Sequence, residues 1–121
     1  MNFDSRQPIY LQIADHVCDQ ILDRKWTPEE RIPSVREIAT LMEVNPNTAM
    51  RAFHHLQEQD IILQQRGVGY FAAEDAYEKV KNLKRKQFMK HDIPHIAEKM
   101  QQLGYSIDDL KQLIEDQQNN S

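Results

Sequence analysis

PSVREIATLMEVNPNTAMRAF, residues 33–53, reads as two short helices joined by a tight bend. Ser34 suits the N-cap of the first, and Glu37, three residues on, completes a capping box. Ile38, Ala39, Leu41 and Met42 supply its apolar face. The bend falls at Glu43 to Pro46, where Asn45 suits an N-cap and Pro46 the first helical position. Ala49, Ala52, Phe53 and Leu56 then recur at helical spacing. Small Ala39 and Ala49 stand where two steeply crossing helices need close approach. The outward residues are Arg36, Asn45, Asn47, Thr48 and Arg51. Such side chains reach phosphates and base edges from a helix in the major groove, so the stretch is a helix-turn-helix signal. The plainer alternative is a helical hairpin inside a core.

Upstream, Pro8 opens a helix to about Arg24, with Ile9, Ile13, Val17 and Ile21 four apart and Tyr10, Ala14, Cys18 and Leu22 beside them. Residues before Pro8 read as an irregular polar arm. Cys18 lies in the stripe and reads as a buried apolar residue, not a nucleophile. Lys25 to Ile32 reads as a connector marked by Pro28, with Trp26 closing one end of the core.

Downstream, Ile61 to Leu63 and Tyr70 to Ala72 are β-type runs around a loop holding Gly67 and Gly69, a hairpin pattern. After a helix-turn-helix such a hairpin is a wing, with Arg66 and Gly67 at its tip. Alone, it would read as a hairpin covering the core edge. From Asp75 the composition shifts to lysine-rich helix. Tyr77, Val80 and Leu83 continue a stripe, and Ile93, Ile96, Ala97, Met100 and Leu103 form another, with Pro94 expected to kink or restart the helix and Gly104 to end it. Ser106 and Asp109 cap a last helix whose apolar face is Ile107, Leu110, Leu113 and Ile114. Two such segments cannot form a core of their own, so Ile93, Ile96, Met100, Leu103, Leu110, Leu113 and Ile114 are expected to bury against a second copy. The lysine run could touch DNA backbone, but the plainer reading is the solvated face of a helix.

The chain's 121 residues suit one small domain with a helical appendage. The expected architecture is mainly α with a small β-hairpin: a winged helix-turn-helix over 1–74 and a helical dimerisation region over 75–121. Net charge of −4 argues mildly against nucleic acid, though placement of the arginines matters more than their sum. One cysteine excludes an internal disulfide and suits a reducing cytoplasm. No stretch approaches a membrane span or an apolar signal segment. His91 and His95, four apart, could share a metal on one helix face, but Pro94 stands between them and no further ligand follows nearby; no metal or cofactor is expected. No phosphate-binding glycine pattern or nucleophile motif is present, and an enzyme is not expected.

With helix-turn-helix and wing in place, the chain resembles the GntR family of bacterial transcription regulators. The matching residues are Pro8-Ile9-Tyr10 with Gln12-Ile13, Ile32 to Ala39, Val44 to Thr48, Arg51-Ala52-Phe53, Leu56, and Arg66 to Phe71. The short two-helix tail looks like that of the YtrA subfamily, whose members often control transporter operons. The resemblance implies that Arg36, Thr48, Arg51 and the Arg66–Gly67 tip contact double-stranded DNA. It also implies a homodimer on a pseudo-palindromic operator, usually as a repressor. Ser34, Asn45 and Asn47 complete the candidate contact set. Too few residues follow Tyr77 for the large effector domains found elsewhere in the family, and no effector is derivable. Glu30, Glu43 and Asp60 stand where the family usually has turn glycines, so altered turn geometry is expected there. A second function class is a winged-helix protein-interaction module whose Arg36 and Arg51 meet acidic partners. The polar start of the second helix favours DNA, since a protein-binding helix would present an aromatic or aliphatic anchor. A third is a non-specific architectural protein, which the acidity disfavours.

Overall fold

The computed structural model describes residues 7–120; the proposed N-terminal arm lies largely outside the described residues. Helix α1 spans Ile9–Leu22, strand β1 Arg31–Ile32, helix α2 Val35–Met42 and helix α3 Pro46–Glu58. Strands β2 (Ile62–Gln65) and β3 (Gly69–Ala72) follow, then helices α4 (Ala76–Gln87), α5 (Ile93–Leu103) and α6 (Ile107–Asn119). A π-helical turn, Phe88–Asp92, separates α4 from α5. Architecture and order are those of a winged helix with helices appended.

The local signals act as the sequence implies. Ser34 accepts the Glu37 N–H at 3.1 Å, while Glu37 Oε1 accepts the Ser34 N–H at 3.3 Å. Asn45 Oδ1 accepts the Asn47 N–H at 2.8 Å, with Pro46 opening α3. Of the apolar positions in α2, Val35, Ile38, Ala39 and Met42 are buried, but Leu41 is 69 % exposed. The buried four follow one face at three- and four-residue steps, and Leu41 falls beyond its edge.

The sheet has a third strand that the sequence reading placed in the connector. Its order is β1-β3-β2, all antiparallel, with Arg31 opposite Phe71 and Ile32 opposite Tyr70. Two residues are too few to show alternation. What places them is burial of Ile32 beneath the hairpin and the ladder partners offered by the free edge of β3. In the hairpin itself Leu63 pairs with Phe71 and Gln65 with Gly69.

The chain forms two compact units, one reaching to Leu83 and one beginning at Lys84. In the first, Ile13, Val17 and Ile21 of α1 meet Ile38 of α2, Phe53 and Leu56 of α3, Ile32 of β1 and Tyr70 of β3. Phe53 and Tyr70 stack edge-to-face with centroids 4.8 Å apart. Ala49 and Ala52 are fully buried, where bulkier residues would hold α3 off its neighbours. Cys18 is buried, as its place in the stripe suggests. Ala76 and Val80 of α4 also lie in this core, so the start of α4 belongs with the winged helix.

Three helix ends close on a non-glycine residue in the left-handed region: Arg24 (φ 59°), Glu43 (φ 56°) and Asp60 (φ 58°). At each, the following N–H reaches back to a carbonyl five residues earlier: Lys25 to Gln20, Val44 to Ala39 and Ile61 to Leu56, each within 3.0 Å. Gly104 closes α5 alike, through Tyr105 N–H to Met100 O at 2.9 Å. Two of the three positions expected to have altered turns, Glu43 and Asp60, thus keep the glycine-type conformation, whereas Glu30 does not adopt positive φ. Lys79 Nζ supports the second of these turns, donating to the Asp60 carbonyl at 3.1 Å.

In the second unit no described residue is fully buried. Pro94 lacks an N–H to continue the helical ladder, and the chain widens ahead of it: Ile93 N–H bonds to Phe88 O, five residues back. Ile96, Met100 and Leu110 are half-buried, while Ile93, Leu103, Leu113 and Ile114 are exposed. Ser106 and Asp109 form a reciprocal capping box at the start of α6.

Candidate nucleic-acid interface

Helix α3 packs against α1, α2 and β2, and part of its first two turns stays open. On that face Asn47 and Arg51 are exposed and Thr48 is half-buried. These three residues line an open groove with Pro8, Ile9 and Tyr10 from the start of α1; its volume is about 420 Å³. Neither helix carries an acidic residue in its first turn. The helix dipole at these N-termini favours an anion such as a phosphate.

The other sequence-derived candidates do not line this groove. Arg36 is exposed on α2, at the second helical position after the Ser34 cap. Ser34 is half-buried and its hydroxyl oxygen is engaged in capping. Asn45 is exposed, but its carbonyl oxygen caps α3, leaving the amide NH₂ for another partner. Arg66 and Gly67 are exposed at the hairpin tip, where Gly67 has φ 78° and Val68 N–H closes the turn onto Gln65 O at 3.0 Å. Only open space surrounds the Gly67 α-carbon where a side chain would stand, so this backbone can approach a flat surface closely.

Sequence reasoning missed two side-chain pairings. Tyr10 is half-buried, with Arg51 Cζ 4.0 Å from its ring centroid and the His55 ring edge-on at 5.9 Å. His55 is therefore packed against α1 through Tyr10. The second is Arg31 of β1. A Cβ built on Gly69 would stand 2.7 Å from Arg31 Cδ, so the arginine stem lies across the backbone of β3. Glycine at 69 is the vacancy that admits it. Neither pairing follows from spacing along the chain, because each joins residues on different elements.

Among the described residues, no helix is long and apolar enough to cross a membrane, and no group of three or more His, Cys, Asp or Glu side chains is placed to hold a metal.

Residues 9–71 match the family model described as bacterial regulatory proteins, gntR family. The chain is 36 % identical over 108 residues to the HTH-type transcriptional regulator YhcF of Bacillus subtilis, covering 89 % of this chain and 88 % of that protein. It is 39 % identical over 72 residues to the HTH-type transcriptional repressor YtrA of the same organism, covering 60 % of this chain and 55 % of the repressor. Among solved structures, a GntR family transcriptional regulator from Listeria monocytogenes superposes with a TM-score of 0.73 at 32 % identity, covering 94 % of this chain and 98 % of that one.

Proposed function

The chain belongs to the gntR family of bacterial regulatory proteins and is a DNA-binding transcription regulator; from that premise we propose that it acts in the cytoplasm as a homodimeric repressor on a pseudo-palindromic operator. The observation that carries this reading is the division of labour between the units. One presents Asn47, Thr48 and Arg51 on an open helix face, and the other has two apolar stripes with no fully buried residue. Arg36, Asn45 and the Arg66–Gly67 tip complete the DNA-contacting set, with Ser34 holding the start of α2. Ile93, Ile96, Met100, Leu103, Leu110, Leu113 and Ile114 form the dimer contact. Burying a Leu or Ile side chain is worth roughly 1.5–3 kcal/mol, a cost that a second copy removes. Two recognition helices related by the resulting two-fold axis read half-sites about one helical turn, or a multiple, apart.

The test joins sedimentation of the full chain at micromolar concentration with selection of its binding sites from genomic fragments. Dimers and a two-fold motif are expected, transporter promoters being the first targets to inspect. A monomer that selects a single, asymmetric half-site tightly would refute the dimeric reading. Arg51→Ala should weaken binding by roughly 1–3 kcal/mol if the contact is to a base edge.

A further inference from the structure

Arg51 stands out among the candidate contacts because its conformation is fixed from another helix. Its guanidinium carbon lies 4.0 Å from the centroid of the Tyr10 ring, on α1. The ring is itself held. Tyr10 is half-buried at the start of α1, and His55, one turn beyond Arg51 on α3, packs edge-on against it at 81°. Arg51 and His55 thus flank Tyr10 from the same helix at a four-residue spacing, locking α1 to α3 at the mouth of the groove they line.

The chemistry of this contact is directional. An arginine bonded through its N–H edges is spent, since those edges are its only hydrogen-bonding groups. An arginine stacked on an aromatic ring is held through its π face, and its in-plane fork of donors stays available. A long side chain free in water must surrender rotamer freedom on meeting DNA, and one already held surrenders less.

We propose that Tyr10 is a positioning residue for DNA recognition: its ring preorganises the Arg51 guanidinium on the open face of α3, donor edges outward. The inference rests on the reading of Arg51 as a DNA contact, and it adds that the contact is built by two helices. Tyr10 need not touch DNA for this, and its effect must pass through Arg51.

The test is a double-mutant cycle on the full chain, with the tightest duplex that the wild-type protein selects from genomic fragments as probe. Tyr10→Leu should weaken binding about two- to fivefold, the size of an exposed cation–π contact. In an Arg51→Ala background the same change should have no effect. Tyr10→Phe, which keeps the ring, should bind as the wild type does. Loss of affinity on Tyr10→Leu that is equal with and without Arg51 would overturn the inference and leave the Arg51 contact standing. Undiminished binding by Arg51→Ala would instead overturn the contact reading, and the inference with it. Should Tyr10→Leu fail to fold, the wild-type protein decides by NMR. The Arg51 side-chain protons should be shifted upfield by the ring current of Tyr10, and ordinary solvent-exposed shifts would refute the stack.

Discussion

Glu43 closes α2 in the left-handed region, at φ 56° and ψ 48°, immediately before the turn into α3. A side chain in this conformation brings its Cβ against the following carbonyl, at a cost of about 1–2 kcal/mol. Glycine avoids that clash but gives up about 0.5–1 kcal/mol of backbone entropy. Glu43→Gly should therefore stabilise the winged helix by about 0.5–1 kcal/mol, a rise in Tm of roughly 2–8 °C for a unit of this size. Glutamate at a helix C-terminus also opposes the helix dipole, so Glu43→Gln serves as a control that removes the charge and keeps the Cβ. Differential scanning calorimetry of the three proteins measures both contributions. Gly104 offers the reverse change: at φ 75° its Cβ position meets nothing within 4 Å, so Gly104→Ala isolates the backbone cost and should lower helicity around the α5–α6 junction. If Glu43→Gly melts no higher than Glu43→Gln, the left-handed turn is not strained and the reasoning fails.

Gly69→Ala should destabilise the wing by about 1–3 kcal/mol, because alanine at φ 144° is strained and its Cβ would press on Arg31 Cδ at 2.7 Å; melting curves and limited proteolysis of the hairpin report it. A chain ending at Asp75 loses Ala76 and Val80 from the core, and Val80 alone is worth roughly 1.5–3 kcal/mol. It should melt well below one ending at Leu83, which should fold and sediment as a monomer. The Ser106 backbone N–H and hydroxyl hold the Asp109 carboxyl below its ordinary pKa of 3.8. Since the folded form has the lower pKa, the cap's contribution to α6 is complete above the ordinary carboxylate pKa and is lost as pH falls through the lowered one. Circular dichroism should show that acid-dependent loss of helicity in the wild type and less of it in Asp109→Asn.

The elements that were legible in the sequence are those whose signals are local. Ser34 with Glu37, Asn45 with Pro46, and Ser106 with Asp109 each announce a helix start within four residues, and each cap is present. The hairpin was legible from its glycines. The third strand was not, because Arg31–Ile32 is defined by the edge of β3, some forty residues away in the chain. Leu41 misled for a related reason: periodicity says which residues can share a face but not how wide the buried strip is. At Glu43 and Asp60, departure from glycine suggested altered turns, yet the backbone keeps the left-handed conformation because a carbonyl five residues back remains to be satisfied in each. Arg24 takes the same conformation with no glycine precedent to mark it.

The acidity of the chain carries the same lesson into electrostatics. A net charge of −4 counts against nucleic acid only if the charges are evenly spread. In α1 the acidic residues are Asp15 and Asp19, with Asp23 just beyond its end, and in α3 the one acidic residue is Glu58, its last. All lie away from the first turns of these helices, where Pro8, Ile9, Tyr10, Asn47, Thr48 and Arg51 form the groove without a carboxylate among them. Arg51 is stacked on an aromatic face, and among the described residues no acid is paired with it, so on the proposed reading its charge is left for DNA. On the proposed reading, a regulator can thus stay acidic overall, which discourages indiscriminate binding to nucleic acid, while α3 offers the Arg51 guanidinium to DNA.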